Sequence, residues 1–149
     1  MPSAASDPPA SPGKLSLLVL SATFERVHYA LVLAGAAAAI GTAATLFFTT
    51  RALAALAEGE AGLGWRRLPG EDGRTGGAID DERRARGVAG FEELLSACVE
   101  FGVRFIACEM GLRAVGMDAV ALRRDVPVEV AGVVTFLADA SPDGVMLTL

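Results

Sequence analysis

Cys98, Cys108 and His28 are the residues of this 149-residue chain with the widest chemical range. A thiolate attacks sulfur, carbon or metal, and an imidazole moves protons near neutral pH. The chain has two cysteines and one histidine, and its cysteine spacing fits no zinc motif, so neither a metal nor an organic cofactor is expected. Glycine-rich phosphate loops and the GxSxG serine elbow are also missing, and the Gly35 to Gly41 stretch reads as helix packing.

Cys108 closes the apolar run Val103 to Cys108 (VRFIAC) and opens the short helical run Glu109 to Gly116. That places its sulfur near the unpaired N–H groups of a helix start, which favour a thiolate. The Glu109 carboxylate works against a second negative charge. The sequence does not sign the net effect, and a buried structural cysteine at a strand end fits the same letters. Cys98 lies on the apolar stripe Phe91, Leu94, Leu95, Cys98 and Phe101, which makes it a core residue. His28 is either a half-buried structural histidine or the one proton partner on offer.

The elements that must hold these groups follow from hydrophobic pattern and punctuation. Lys14 to Ala22 is a buried strand, with Thr23 as N-cap of a helix that runs to about Ile40 and stops at Gly41. Ala43 to Thr49 is a second strand, which makes a parallel βαβ unit, and Arg51 to Ala57 is a short helix. Glu58 to Arg86 is rich in glycine and charge and reads as a long surface loop, with the single Trp65 pinning it to the core. A helix follows over Gly87 to Phe101, then the strand ending in Cys108. Asp118 to Arg123 is a helical piece, and Val126 to Val130 is a strand that Pro127 pushes to an edge. Ala131 to Ala140 is the last helix, and a Ser141-Pro142-Asp143-Gly144 turn leads into the final strand, Val145 to Leu149.

Alternation of strands and helices predicts a three-layer α/β/α fold with a mainly parallel sheet of about five strands. It forms a single domain over 14–149, preceded by a Pro/Ser/Ala-rich tail over 1–13 that lacks the features of a signal peptide. In such sheets ligands bind beyond the C-terminal strand ends. That rule selects Thr23, His28, Thr49, Thr50 and Cys108 as site candidates, with Glu109, Met110 and Gly111 following the cysteine.

The formal charge of −5, with no basic run, argues against nucleic acid and against an anionic membrane surface. Val27 to Thr50 carries no formal charge with His28 neutral, and is long enough to span a bilayer. It is mostly alanine and glycine, is broken at Gly41-Thr42 and lacks flanking Lys/Arg asymmetry, so a buried helix running into a buried strand is the expectation. Two cysteines at no disulfide spacing point to a reducing, cytoplasmic setting.

Three stretches together resemble the DsrE/DsrF-like family of small sulfur-relay proteins. They are LVLSATFERVHYALVLAGAAAAIG, LFFTTRALAAL, and FIACEMGLRAVGMDAVAL followed by VEVAGVVTFLADA. The resemblance runs from Leu15 to Leu149, leaving out most of the long loop, and rests mainly on the cysteine-centred segment. It implies a layered α/β fold, a persulfide-carrying cysteine at Cys108, a sulfur donor or acceptor protein as partner, and a homo-oligomer, often a trimer or hexamer. Members commonly carry Met-Ser-Met after the cysteine region, where this chain has Met110-Gly111-Leu112. The competing expectation is a non-enzymatic small-ligand or assembly module in which Cys108 only packs.

Overall fold

The computed structural model describes residues 13–59 and 63–149. Strands β1 (Leu15–Val19), β2 (Ala44–Phe48), β3 (Arg104–Cys108), β4 (Val128–Ala131) and β5 (Val145–Thr148) form one sheet in the order β4-β3-β2-β1-β5. Every pairing is parallel. The three central strands are apolar on both sides because both are covered. Leu17, Leu46 and Phe105 lie in register on one face; Leu18, Phe47 and Ile106 lie in register on the other.

The two faces are covered unequally. Helices α1 (Phe24–Ala39) and α3 (Phe91–Glu100) pack on each other over the first face. There Phe24, Leu31, Leu95 and Cys98 meet Leu17, Leu46, Phe48 and Phe105 in the main core. Among the described residues the second face carries only the short α5 (Val133–Asp139), whose Phe136 stacks on Phe47 at 4.7 Å between ring centres. Ile106 and Cys108 complete this smaller core. Asp139 at the end of α5 bonds Lys14 at 2.5 Å, Thr45 at 2.6 Å and Arg104 at 2.6 Å. Burial works against its ionisation, but these three partners outweigh burial and hold the carboxyl below its ordinary range. The chain thereby ties α5 to β1, β2 and β3 at the end of the sheet opposite Cys108.

The three-layer α/β/α architecture with a parallel sheet is therefore as the pattern predicted, and β4 is an edge strand. No described helix is long and apolar enough to cross a membrane; the uncharged stretch is α1 followed by β2, divided at Gly41 with φ +86°. The expected tail lies outside the described residues apart from Gly13.

The long loop over 58–86 is a correction. Its described part contains a 3₁₀ turn, Gly64–Arg67, and a ten-residue helix, α2 (Gly76–Ala85). Thr75 caps α2 through its hydroxyl, which accepts from the Ala78 N–H, and buried Asp80 in turn accepts the Phe91 N–H at the start of α3 at 2.8 Å. The helix escaped the periodicity reading because it meets the core through Gly76, Gly77 and a single large apolar side chain, Ile79. A Cβ on Gly76 would stand 2.7 Å from the Phe24 ring. Trp65 is 1% exposed, as a pin for this segment should be. Two smaller departures concern helix ends. The piece expected at Arg51 to Ala57 is a 3₁₀ helix, Thr50–Leu56, and Phe101 caps α3 with its ring exposed instead of joining the stripe.

Cys98 is core, as expected. Burial pushes its thiol up to about 11, and its S–H donates to the Leu31 carbonyl at 3.4 Å. Its ordinary value is 9.0, so above that pH an unfolded chain gives up this proton while the folded chain keeps it. Stability from this group is complete below pH 9 and is lost as pH rises towards 11; at about 1.4 kcal/mol per pH unit the loss is of order 2 kcal/mol. Urea unfolding at pH 8.5 and 10.5 should show this fall in wild type and a smaller one in Cys98→Ala; equal falls would refute it.

Candidate functional site

Strand β3 ends at Cys108, which is also the N-cap of the short helix α4 (Glu109–Ala114). Its φ of −66° and ψ of 120° are extended, so the chain turns from sheet to helix at this residue. The Cys108 sulfur accepts the Gly111 N–H at 3.3 Å, which is the side-chain capping bond that serine or aspartate makes at other helix starts. The expected proximity of sulfur to helix-start amides is thus present as a specific contact.

Cys108 is only 2% exposed. It nonetheless lines a hollow of about 380 Å³ with Glu109, Met110, Arg113, Gly132, Val133 and Val134. Met110, 71% exposed, stands at its rim. The Glu109 carboxylate is turned to the Arg113 guanidinium at 2.9 Å, one helical turn on, so the charge that sequence placed beside the sulfur is paired.

Arg113, Gly132, Val133 and Val134 were not among the sequence candidates. A signal for three of them exists: Cys108 pairs with Ala131 across the β3–β4 ladder. Parallel pairing brings whatever follows β4 to the same edge as whatever follows β3, and Gly132-Val133-Val134 follows β4.

His28 does not belong to this site. It lies on α1, on the opposite face of the sheet, against the Phe24 ring. Its Nε2 is 2.9 Å from the Ala89 carbonyl, which only accepts, so Nε2 carries the proton and the ring serves as a buried tie between α1 and the segment before α3. The sequence rule erred because a residue early in the following helix can turn to the covering layer. Thr23 occupies the N-cap position of α1 without a side-chain capping bond; its hydroxyl instead accepts from Ser21 at 3.0 Å.

Thr49 and Thr50 are brought to Cys108 through Gly111. A Cβ placed on Gly111 would stand 2.6 Å from the Thr49 hydroxyl, 2.7 Å from the Thr50 backbone nitrogen and 3.2 Å from the Cys108 Cβ. Thr50 has φ +49°, a left-handed conformation that a β-branched residue rarely adopts.

A model of the DsrE/DsrF/DrsH-like family matches residues 73–147, half of the chain. The chain belongs to this family. The match takes in β3, Cys108, α4 and everything that closes the hollow. No curated protein matches. Among solved structures, a protein of unknown function, MTH1491 from Methanobacterium thermoautotrophicum, superposes with a TM-score of 0.60 at 16% identity, covering 92% of this chain and 99% of its own. The ychN protein from E. coli superposes with a TM-score of 0.60 at 18% identity, over 92% of this chain and 99% of its own. At these identities the likeness concerns the fold.

The tight approach of Thr49 and Thr50 leaves room only for glycine at position 111. The backbone N–H of Gly111 supplies the bond to sulfur directly. Gly111→Ser should therefore destabilise the protein by about 1–3 kcal/mol, the usual cost of forcing atoms into a filled space. It should also open the sulfur's amide contact, which speeds alkylation of Cys108 by iodoacetamide in the folded protein. An urea midpoint and alkylation rate equal to wild type would show that the apparent crowding relaxes freely.

Proposed function

We propose that the protein carries sulfane sulfur as a persulfide on Cys108. The Cys108 thiolate attacks the outer sulfur of a donor persulfide, R–S–SH. The donor's S–S bond breaks, R–S⁻ leaves, and Cys108–S–SH forms. An acceptor thiolate then attacks the outer sulfur, takes it as its own persulfide, and returns Cys108 to the thiolate. Each step exchanges one S–S bond for another, so no external oxidant or reductant enters.

The observation that carries this reading is the sulfur's position, capped by the Gly111 N–H and set in the wall of an open hollow. Family membership supports it. The other cysteine, buried with its thiol pushed up to about 11, is unsuited to the task. The outer face of α5 beside the hollow leaves Val134 and Leu137 exposed, which suits docking of a donor or acceptor protein, or of further copies in a homo-oligomer. The exchange chemistry fits a reducing compartment, and we place the protein in the cytoplasm.

Incubation with glutathione persulfide followed by trypsin and mass spectrometry tests the proposal. Cleavage after Arg104 and Arg113 puts Cys108 in a peptide of its own, separate from Cys98. The expected product is a gain of about 32 Da, one sulfur, on the Cys108 peptide, removed by an added thiol. A gain confined to the Cys98 peptide, or none, would overturn the assignment.

A further inference from the structure

Cys108 borders a hollow and yet is almost wholly covered. Its side chain belongs to the small core on the second sheet face, with Phe47, Ile106 and Phe136. Phe136 comes from α5, and the first turn of the same helix, with Gly132 before it, walls the hollow. Displacing α5 would therefore uncover the sulfur and widen the approach to it in one movement.

Little holds α5 down. It has seven residues, too few for a helix to persist in water by itself. No side chain caps its start, and Phe136 is its only buried residue, while Val133, Val134 and Leu137 are exposed. Its second anchor is Asp139, at the end of the helix away from Cys108. Lys14, Thr45 and Arg104 all donate to that one carboxylate.

Ser16 is in register with Thr45, so the two hydroxyls share this face of the sheet. The Ser16 hydroxyl is buried and has no hydrogen-bond partner among the described residues. A buried hydroxyl without a partner costs the closed state free energy that water restores when the face opens. One apolar anchor, one ionic anchor and an unmet hydrogen bond beneath make α5 the segment of this face most ready to part from the sheet.

We propose that α5 is a lid over Cys108 and that Asp139 is its latch, a positioning residue that sets how often the sulfur is presented to a reaction partner. The lid regulates the sulfur carriage proposed above and rests on that reading for its purpose, whereas its opening is measurable with any thiol reagent. Opening is local: α5 leaves the sheet, and the first face, with Cys98 in its core, stays packed. Asp139→Asn releases the latch and should still fold. Arg104 keeps Glu129 at 2.6 Å, the Lys14 side chain reaches solvent, and the amide oxygen can accept from Thr45.

Alkylation of the folded protein by iodoacetamide, followed by trypsin and mass spectrometry, gives a separate rate for each cysteine, because cleavage after Arg104 parts them. Wild-type Cys108 should react faster than Cys98 and depend less on urea, since a local opening exposes less surface than unfolding. Asp139→Asn should raise the Cys108 rate about ten-fold, the scale of a lost charge-assisted hydrogen bond. Trp65→Phe, a change in the first-face core, should raise the Cys98 rate and leave the Cys108 rate as it was. Equal rates with equal urea dependence for the two wild-type thiols would overturn the lid, because only unfolding would then expose Cys108. So would a Cys108 rate unchanged in Asp139→Asn, because reagents would then be passing a closed helix. Loading with glutathione persulfide separates the two proposals. No persulfide on Cys108 beside the expected alkylation rates removes sulfur carriage and keeps the lid; persulfide on Cys108 with unchanged alkylation in Asp139→Asn does the reverse.

Discussion

Cys108→Ser is expected to abolish sulfur loading completely while leaving the protein folded. The hydroxyl of serine forms no persulfide, and the other thiol is in the core on the far side of the sheet. Serine is nevertheless the mildest replacement at this position. Cys108 is the N-cap of α4, where serine is among the preferred residues, and its oxygen can accept the Gly111 N–H that the sulfur now accepts. What is lost is the sulfur's packing against Phe47, Ile106 and Phe136. The net change in stability should stay within about 1 kcal/mol, because the cap is kept while some apolar contact goes. Cys108→Ala loses the acceptor as well and should be the less stable of the two. Mass spectrometry of the loaded proteins and urea unfolding monitored by circular dichroism read both arms. Wild-type loading in the serine variant would move the chemistry elsewhere. Unfolding of that variant would mark Cys108 as a structural residue instead.

Trp65→Ala is expected to cost about 3–5 kcal/mol, the range for truncating a large buried aromatic side chain. The Trp65 ring stacks on Phe91 at 4.5 Å between centres and touches Phe24 at 5.9 Å. Its indole N–H donates to Glu92 at 2.7 Å, and Glu92 also receives the Arg123 guanidinium at 2.5 Å. Arg123 in turn holds Asp125 at 2.6 Å. The cost therefore combines a cavity between two helices with the loss of one partner from a polar cluster that spans distant parts of the chain. A whole-protein stability of about 5–15 kcal/mol leaves little reserve against such a loss. Because Trp65 is the only tryptophan, circular dichroism and not fluorescence must follow the transition. Trp65→Phe keeps the stack and gives up only the indole bond, so it should cost less than half as much. A Trp65→Ala variant within about 1 kcal/mol of wild type would mean that the segment around it folds apart from the core.

The cysteine's place at a strand-to-helix junction was readable from the letters on either side of it. An apolar run interrupted only by Arg104 ended at Cys108 and a short helical run closed by Gly116 began, and both facts are local. Glu109 was legible as a charge near the sulfur, but its pairing with Arg113 depends on helical spacing that brings the two side chains together one turn apart. His28 was misplaced because order along the chain gives proximity to an edge and not the direction a side chain faces. Gly111 was read as a departure from the family's pattern; its physical meaning needed Thr49 and Thr50, sixty positions away, to stand against it.

Sequence alone determined the parallel α/β architecture, the burial of Cys98 in the helical layer and the place of Cys108 at a strand-to-helix junction. These rest on periodicity, strand-helix alternation and helix-end chemistry, which act over a few neighbouring residues. Tertiary structure decided the rest. It converted a glycine-rich loop into a helix seated on Phe24, removed the histidine to the other face of the sheet, and closed the cysteine's hollow with residues from the next strand-helix unit. Each of these is a contact between segments far apart in the chain, where close packing and not local pattern chooses which side chain or bare backbone fits.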